Sequence, residues 1–202
     1  MLLSTAYFPP IAWLKQALSG EVILIEAKEH FIKQTWRNRC RIYGGNGPID
    51  LVIPVDHRDR WRIPIDELKT SSATDWKSLH WKSIRSAYGK APYFEYYADT
   101  LEACYRKDAP GLLLDFNEAC LQSILKLMKS DIRIERTSTF SPYNPADPRL
   151  VCSEIDAVAG ENFPPYYQSF AERHGFLPNL SALDLLFHLG PESGEYLIRI
   201  PD

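Results

Sequence analysis

The sequence has no long hydrophobic run, no CxxC motif and few cysteines. Its four cysteines, among 202 residues, stand far apart at positions 40, 104, 120 and 152. A chain of this length can bury a core without disulfide staples, so we expect reduced and mostly buried thiols. No segment approaches the roughly 20 apolar residues that cross a bilayer, so we expect no membrane insertion. The start of the chain lacks a basic region before its apolar residues, which predicts no secretory signal and a cytoplasmic location.

The sequence also has no excess of positive charge. Lys and Arg number 23 against 26 Asp and Glu, and the formal net charge is −3. A dedicated nucleic-acid binder is normally basic overall, so we expect no nucleic-acid partner. With 45% hydrophobic and 24% charged residues, the composition is typical of a globular chain and excludes a disordered one.

Several common catalytic motifs are missing. The sequence contains no GxGxxG, no GxxxxGK[ST], no GxSxG and no HExxH. The local chemistry of dinucleotide, P-loop, α/β-hydrolase and zincin sites is therefore absent. Neither the four cysteines nor the five histidines have close metal-ligand spacing. We predict neither a metal nor a cofactor.

The sequence does contain alternating strand and helix patterns. Residues 2–7 and 21–26 are short apolar runs typical of buried strands, and residues 11–18 between them have apolar residues at helical spacing. Strand, helix and strand in this order favour a parallel crossover unit. We predict an α/β fold, a single domain over residues 1–202 with a mixed sheet and flanking helices, Rossmann-like at this N-terminal unit.

Further elements are predicted along the rest of the chain. Residues 36–43 and 49–55 alternate in polarity around a glycine-rich linker, which predicts a hairpin. Residues 137–168 hold five prolines and are predicted to be mostly irregular. The other predicted elements are helices from Thr74–Asp75 to Gly89, from Pro92 onward, over 115–128 and over 181–189, and a strand over 131–135.

Three arginines alternate with other residues in segment 36–42. If the segment is extended, Arg37, Arg39 and Arg41 point to one face, and their repulsion favours an anion between them. Residues 28–62 concentrate this charge, with eight Lys or Arg against four Asp or Glu. Arginine binds phosphate and carboxylate with paired hydrogen bonds, so one interpretation is an anion site. The other is a solvated strand face whose arginines pair with nearby carboxylates.

Two helical segments carry polar residues that could do chemistry. His80 and Ser83 are three residues apart on one helix face, so the imidazole could take the seryl proton or act as general acid or base. Alternatively, His80 is a hydrogen-bonded residue at the edge of the core. In the last predicted helix, Ser181 and Asp184 fit an S-x-x-D capping box, and the free amides of a helix start can also bind an anion.

Four segments together resemble the WbqC-like family of bacterial proteins. They are STAYFPPIAWL at 4–14, KQTWRNRCRI at 33–42, HWKSIRSAYGKAPYFEYY at 80–97 and FLPNLSALDLLFHLGPES at 176–193. The resemblance is to a shorter subtype of the family. It implies a cytoplasmic protein of O-antigen and other surface-polysaccharide gene clusters, with an enzymatic role in modifying activated sugars.

The resemblance also implies which polar side chains form the site. The family's characteristic polar positions correspond here to Tyr7, Lys33, Arg37, Asn38, Arg39, His80, Ser83, Tyr88, Asn179, Ser181 and Asp184. We predict that His80, Ser83 and Asp184 are catalytic and that the other eight bind substrate.

These observations predict a transferase that acts on a small anionic substrate, such as a phosphate- or nucleotide-linked sugar. This hypothesis requires the arginine segment, His80 and the start of the last helix to meet around one cavity. Two other hypotheses remain open. One is a non-catalytic binding or assembly protein of envelope biosynthesis, and the other is an ATP-using ligase or nucleotidyltransferase. A homo-oligomer is also compatible with the sequence.

Overall fold

The structure is a computed structural model, and it describes residues 1–56, 63–106, 109, 111–144, 147–152 and 163–201. Residues 151 and 152 are described by their backbone alone. Within these ranges the chain forms both strands and helices, and most of its buried apolar side chains belong to one hydrophobic cluster. The largest side chains of this cluster include Trp13, Trp36, Tyr88, Phe116 and Phe187, each 2% exposed or less.

Three parallel strands form a sheet at the N-terminus. These strands are β1 (Leu2–Leu3), β2 (Val22–Ile25) and β5 (Arg133–Arg136), adjacent in the order β1, β2, β5. The helix α1 (Ile11–Leu18) connects β1 to β2 and buries its apolar face in the core. The predicted parallel crossover is therefore confirmed.

The first strand is shorter than the sequence predicts. It ends at Leu3, and residues 4–10 form a loop that is buried throughout. The Tyr7 amide donates to the Trp36 carbonyl at 2.9 Å, and Phe8 has a φ of +37°. The prediction of a strand up to Tyr7 was wrong because the backbone turns away from the sheet and bonds to other segments.

The predicted hairpin is confirmed as a separate antiparallel sheet. Its strands are β3 (Arg39–Gly44) and β4 (Gly47–Val52). Gly47 has a φ of +108°, a conformation that glycine adopts without a steric penalty, so the chain can reverse within two residues. The α/β class is confirmed, and the described strands divide between the parallel sheet and this hairpin.

Four predicted helices are present. They are α2 (Trp76–Tyr88), α3 (Phe94–Glu102), α4 (Leu113–Leu127) and α6 (Ala182–Leu189). The structure adds α5 (Ala171–His174) and α7 (Ser193–Arg199), which the sequence did not predict. The Asp75 carboxylate accepts from the Ser78 amide at 3.4 Å and so caps α2, as expected of this residue type.

The proline-rich segment 137–168 is irregular where it is described, apart from a 3-10 helix over Pro148–Cys152. Residues 145–146 and 153–162 of this segment lie outside the described residues. Within the described ranges, every helix is too short or too polar to cross a bilayer.

Gly190 ends α6 in a conformation that requires glycine. Its φ is +54°, and an added Cβ would lie 2.5 Å from the Tyr93 ring. We expect Gly190→Ala to lower the free energy of unfolding by about 2–4 kcal/mol, because backbone strain and overpacking add. A Cβ at Gly194, in the first turn of α7, meets nothing within 4 Å. Gly194→Ala should therefore be neutral or stabilise by up to about 1 kcal/mol. Urea denaturation measures both, and equal effects would contradict the contact at Gly190.

Candidate functional site

The buried loop of residues 4–10 lies at the carboxyl edge of the parallel sheet. Ser4, Glu26 and Thr137 directly follow β1, β2 and β5, so the carboxyl ends of all three strands meet beside this loop. Open α/β sheets bind ligands at this edge. Here Ser4 and Glu26 are completely buried, so side chains of the protein itself occupy the edge.

Arg37 lies at this edge as one half of a buried ion pair. Its Nε and Nη2 donate to the two carboxylate oxygens of Glu29 at 2.8 and 2.7 Å. The same Nη2 donates to the hydroxyls of Ser4 and Tyr143 at 2.7 and 3.0 Å. Arg37 and Glu29 are each 1% exposed. The guanidinium that we predicted to bind a substrate anion therefore binds an internal carboxylate.

A second buried arginine, Arg149, forms an ion pair with Glu26 at the same edge. The sequence did not indicate this arginine. Arg149 Nη1 lies 3.3 Å from Glu26 Oε2, and its Nε donates to Asp147 at 2.8 Å. Glu26 also accepts from the Thr137 hydroxyl at 2.6 Å and from the Ser141 amide at 2.9 Å. No local pattern could reveal this pair, because 123 residues separate its members.

The other residues of the arginine segment lie nearer the surface. Arg41 donates to Asp50 at 2.7 and 3.1 Å, and Arg39 lies 4.0 Å from the same carboxylate. Two arginines thus share one carboxylate, as the interpretation of a solvated strand face predicts. Lys33 is exposed ahead of the strand. Asn38 is buried and donates to a main-chain carbonyl after β4 at 2.8 Å.

His80 lies inside the fold beside Tyr7. Its Nδ1 is 2.9 Å from the Tyr7 hydroxyl, which also contacts the Tyr105 hydroxyl. Burial lowers the pKa of His80 to about 4, although a hydrogen bond to the Val52 carbonyl acts in the opposite direction. Burial also raises the pKa of Tyr7 and of Tyr105 well above the usual value. The imidazole is therefore neutral at pH 7, and Tyr7 keeps its proton.

Ser83 and Tyr88 follow His80 on α2, but each has a different partner. The Ser83 hydroxyl donates to the Leu79 carbonyl at 3.0 Å, so it is engaged with its own helix. The Tyr88 hydroxyl is fully buried and accepts from the Tyr43 amide at 3.1 Å. The hydrogen bond between Ser83 and His80 that the spacing allowed is not formed.

Asn179 and Ser181 join the starts of two helices. Asn179 Oδ1 accepts from a first-turn amide of α1 at 2.9 Å. The Ser181 hydroxyl donates to the Phe8 carbonyl at 2.8 Å and accepts from the Leu183 amide at 3.2 Å, which confirms the predicted cap of α6. The Ala182 amide bonds to a carbonyl of the buried loop at 2.8 Å. These first amides of α6 are thus satisfied within the protein.

Asp184 does not complete the predicted capping box. The Ser181 amide donates to the Arg41 carbonyl at 2.8 Å, so it is not available to the Asp184 carboxylate. That carboxylate is 0% exposed and accepts from the Tyr166 hydroxyl at 2.5 Å and the Gln168 amide at 3.0 Å. Burial, and then the neighbouring carboxylate, raise the pKa of Tyr166 well above its usual value. The reciprocal half of the box was wrong because residues 166–168 supply competing donors.

A cleft of about 760 Å³ opens between α2, α3 and residues 167–170. Its walls carry two cations and two carboxylates, from Arg85, Lys90, Glu95 and Asp99, and an exposed aromatic ring from Tyr167. None of the eleven predicted site residues lines it. No sequence pattern indicates this cleft, because charged residues at these helix positions are also typical of an ordinary solvated face.

Metal ligands are not grouped in the described part of the chain. There, no set of three or more His, Cys, Asp or Glu side chains could hold a metal ion.

Comparisons with known proteins give a family and one relative. The family described as the WbqC-like protein family matches residues 5–160. The uncharacterized protein Rv1507c of Mycobacterium tuberculosis (strain ATCC 25618 / H37Rv) is 26% identical over 217 aligned residues, which cover 95% of this chain and 91% of that relative. No solved structure matches the chain significantly. The family match ends at residue 160, so residues 167–170 of the cleft and α6 lie beyond it.

Removing the Arg37 guanidinium would leave Glu29 charged in the interior. We expect Arg37→Met to lower the free energy of unfolding by about 3–5 kcal/mol, because one buried charge loses its partner. The matched change Arg41→Met, at a partly exposed pair with Asp50, should cost less than about 1 kcal/mol. Urea denaturation at pH 7 measures both losses. A similar, small loss in the two variants would contradict a structural role of the Arg37 ion pair.

The lowered pKa of His80 makes stability depend on pH. The native pKa is about 4 and the ordinary value is 6.5, so between these values the unfolded chain binds the proton more readily. The stability that depends on neutral His80 is fully present above pH 6.5 and is lost as the pH falls through 4. For this shift, lowering the pH from 7 to 5 should cost about 2 kcal/mol. Urea denaturation of His80→Gln at both pH values should show a loss smaller by that amount, and an unchanged pH dependence would refute the assignment.

Proposed function

Since the chain belongs to the WbqC-like protein family, we propose that it is a transferase that binds a small anionic sugar derivative in the cleft between α2 and α3. The observation that carries the proposal is the composition of the cleft wall. Arg85 and Lys90 supply positive charge, Glu95 and Asp99 supply acceptors, and Tyr167 supplies an exposed ring. Its volume of about 760 Å³ lies within the range of small-molecule sites.

The two cations are suited to a phosphate group. Among the described residues, neither Arg85 nor Lys90 forms an ion pair with a carboxylate of the protein. Arginine presents paired donors to phosphate, and lysine presents a compact charge with three donors. At either cation, a phosphate would displace no internal carboxylate. At Arg37, by contrast, a substrate anion would first have to displace Glu29 from two hydrogen bonds in the interior.

The other groups of the cleft are suited to a sugar. Glu95 and Asp99 are four residues apart on α3, so both carboxylates lie on one helix face and can accept hydrogen bonds from neighbouring hydroxyls. The Tyr167 side chain is 64% exposed, and its ring can pack on the apolar face of a sugar. The combination of cations, carboxylates and an aromatic ring favours a phosphate- or nucleotide-linked sugar over a simple phosphate.

We also propose that the reaction belongs to surface-polysaccharide biosynthesis and takes place in the cytoplasm. Activated sugars of this kind are precursors of surface polysaccharides, in line with the resemblance of the sequence. Cys40, Cys104 and Cys120 are buried free thiols, which is typical of a reducing compartment and supports a cytoplasmic location. The roles predicted for Tyr7, His80 and Ser83 in substrate binding and catalysis, and the possible homo-oligomer, stay predictions.

Ligand titration tests the proposed substrate class. We expect UDP-glucose and glucose 1-phosphate to raise the melting temperature, by about 5–10 °C at a hundredfold excess over Kd, because they bind only the native state. Glucose and inorganic phosphate alone should raise it less. Arg85→Ala and Lys90→Ala should each weaken binding by about tenfold to a hundredfold, the effect of one charged hydrogen bond.

The matched control is Lys82→Ala, which removes an exposed lysine of α2 that does not line the cleft. Its affinity should equal that of the wild type. Equal weakening in Lys82→Ala and Lys90→Ala would mean that the ligand responds only to overall charge, and the cleft assignment would fail. Binding without turnover of any acceptor would favour the hypothesis of a non-catalytic binding protein.

A further inference from the structure

A serine that lines the cleft lies in contact with a buried histidine, which in turn lies next to a buried aspartate. The Ser169 hydroxyl is 2.9 Å from His188 Nε2, and His188 Nδ1 lies 3.5 Å from Asp184 Oδ1. Ser169 comes from the loop that lines the cleft, and the other two residues are one turn apart on α6. We propose that Ser169 is the nucleophile of an acyl-transfer site, with His188 as its general base and Asp184 as the group that orients and stabilises the imidazole.

The hydrogen bonds fix the tautomer of His188. The main-chain N–H of Ser169 donates to Nε2 at 3.1 Å. An amide N–H can only donate, so Nε2 must carry a lone pair and the ring proton must reside on Nδ1. Nδ1 in turn donates to the Asp184 carbonyl at 2.8 Å. The nitrogen facing the Ser169 hydroxyl is therefore the unprotonated one, which is the state that a general base requires.

Asp184 supplies negative charge next to the protonated nitrogen. Its carboxylate is completely buried, and the Tyr166 hydroxyl and the Gln168 amide both donate to its Oδ2. These bonds leave Oδ1 as the oxygen nearest to His188. In a site closed to water, a carboxylate at 3.5 Å stabilises an imidazolium far more than it would in solvent. The arrangement differs from the Ser–His–Asp triad of proteases in one respect. Here the Nδ1 N–H of His188 donates to the main-chain carbonyl of Asp184 and not to its carboxylate.

Access to the site is one-sided. Ser169 is half-buried and lines the cleft, whereas His188 is 5% exposed and lies behind it against the edge of the Tyr167 ring. A substrate in the cleft therefore meets the hydroxyl first. The imidazole is shielded from bulk water, as the base of a nucleophilic serine is in other enzymes.

The chemical step can be written with its atoms balanced. Ser169 Oγ attacks the carbonyl carbon of an ester or thioester donor, and its proton passes to His188 Nε2. The donor's C–O or C–S bond breaks, and the leaving group takes that proton, which leaves an acyl-serine. A hydroxyl or amine of the acceptor then attacks the acyl carbon and loses its proton to Nε2. The bond between the acyl carbon and Ser169 Oγ breaks, and the proton on Nε2 returns to Oγ. That the acceptor is the sugar derivative rests on the proposed function, whereas the serine chemistry does not.

Covalent labelling tests the nucleophile directly. A fluorophosphonate forms a P–O bond to an activated serine as its P–F bond breaks, so we expect one label per chain, mapped to Ser169 by mass spectrometry. Ser169→Ala should reduce labelling at least 100-fold. His188→Gln keeps a side-chain amide near the serine but no base, and it should reduce labelling similarly. Ser86→Ala, at a second serine that opens on the cleft and has no part in the proposal, should label like the wild type.

Two measurements separate this inference from its alternatives. Circular dichroism and thermal melting of each variant identify loss of fold, and Ser169→Cys, which retains a nucleophile, should react with an alkylating chloroacetyl ester if the site is intact. An unlabelled Ser169 in folded wild-type protein would overturn the inference, even if UDP-glucose still stabilises the chain. Labelling of Ser169 without any ligand stabilisation would instead overturn the proposed function and leave the acyl-transfer site standing.

Discussion

The backbone of residues 4–10 is buried, and its polar groups must be satisfied by the rest of the protein. Each part of the loop has a partner from a different element. The Tyr7 amide bonds to the Trp36 carbonyl, the Tyr7 hydroxyl meets His80 on α2, and the Phe8 carbonyl accepts from Ser181 at the start of α6. The loop therefore fixes the relative positions of sheet, hairpin and helices. Replacing Ser181 would remove a hydrogen bond from the buried Phe8 carbonyl, and a buried polar group without its partner lowers stability.

The same constraint explains why the carboxyl edge of the sheet is closed. The edge holds two buried arginines and the carboxylates that neutralise them, with Arg37 on Glu29 and Arg149 on Glu26. Buried pairs of this kind add little net stability, but losing one partner costs much more than either contributes. Such a network holds the strand ends in one arrangement. A ligand that bound there would have to displace internal ion pairs. The charged groups of the cleft between α2 and α3 take no part in this network.

The sequence predicted what local periodicity controls. α1 matches its predicted bounds of residues 11–18, and Ser181 caps α6 as its residue type indicates, because both depend on neighbours within one turn. The sequence could not identify Glu29 as the partner of Arg37. The same alternation of arginines is expected for a solvated strand face and for a segment that contains a buried ion pair. Nor could the sequence identify Ser169, which lies in an irregular segment. The spacing of Asp184 and His188, four residues apart on a predicted helix, is the sequence signal that indicates their contact.

That spacing determines how the acyl-transfer site is assembled. Asp184 and His188 are held together by the geometry of α6, so the helix itself brings the base and its carboxylate into contact. Ser169 is positioned by a separate segment, residues 166–177. The Gln168 side chain exchanges hydrogen bonds with the Leu177 backbone at 2.9 and 3.0 Å, and its amide also reaches Asp184 at 3.0 Å. One glutamine thus ties the loop conformation to the buried carboxylate. The position of the nucleophile therefore depends on the conformation of this loop.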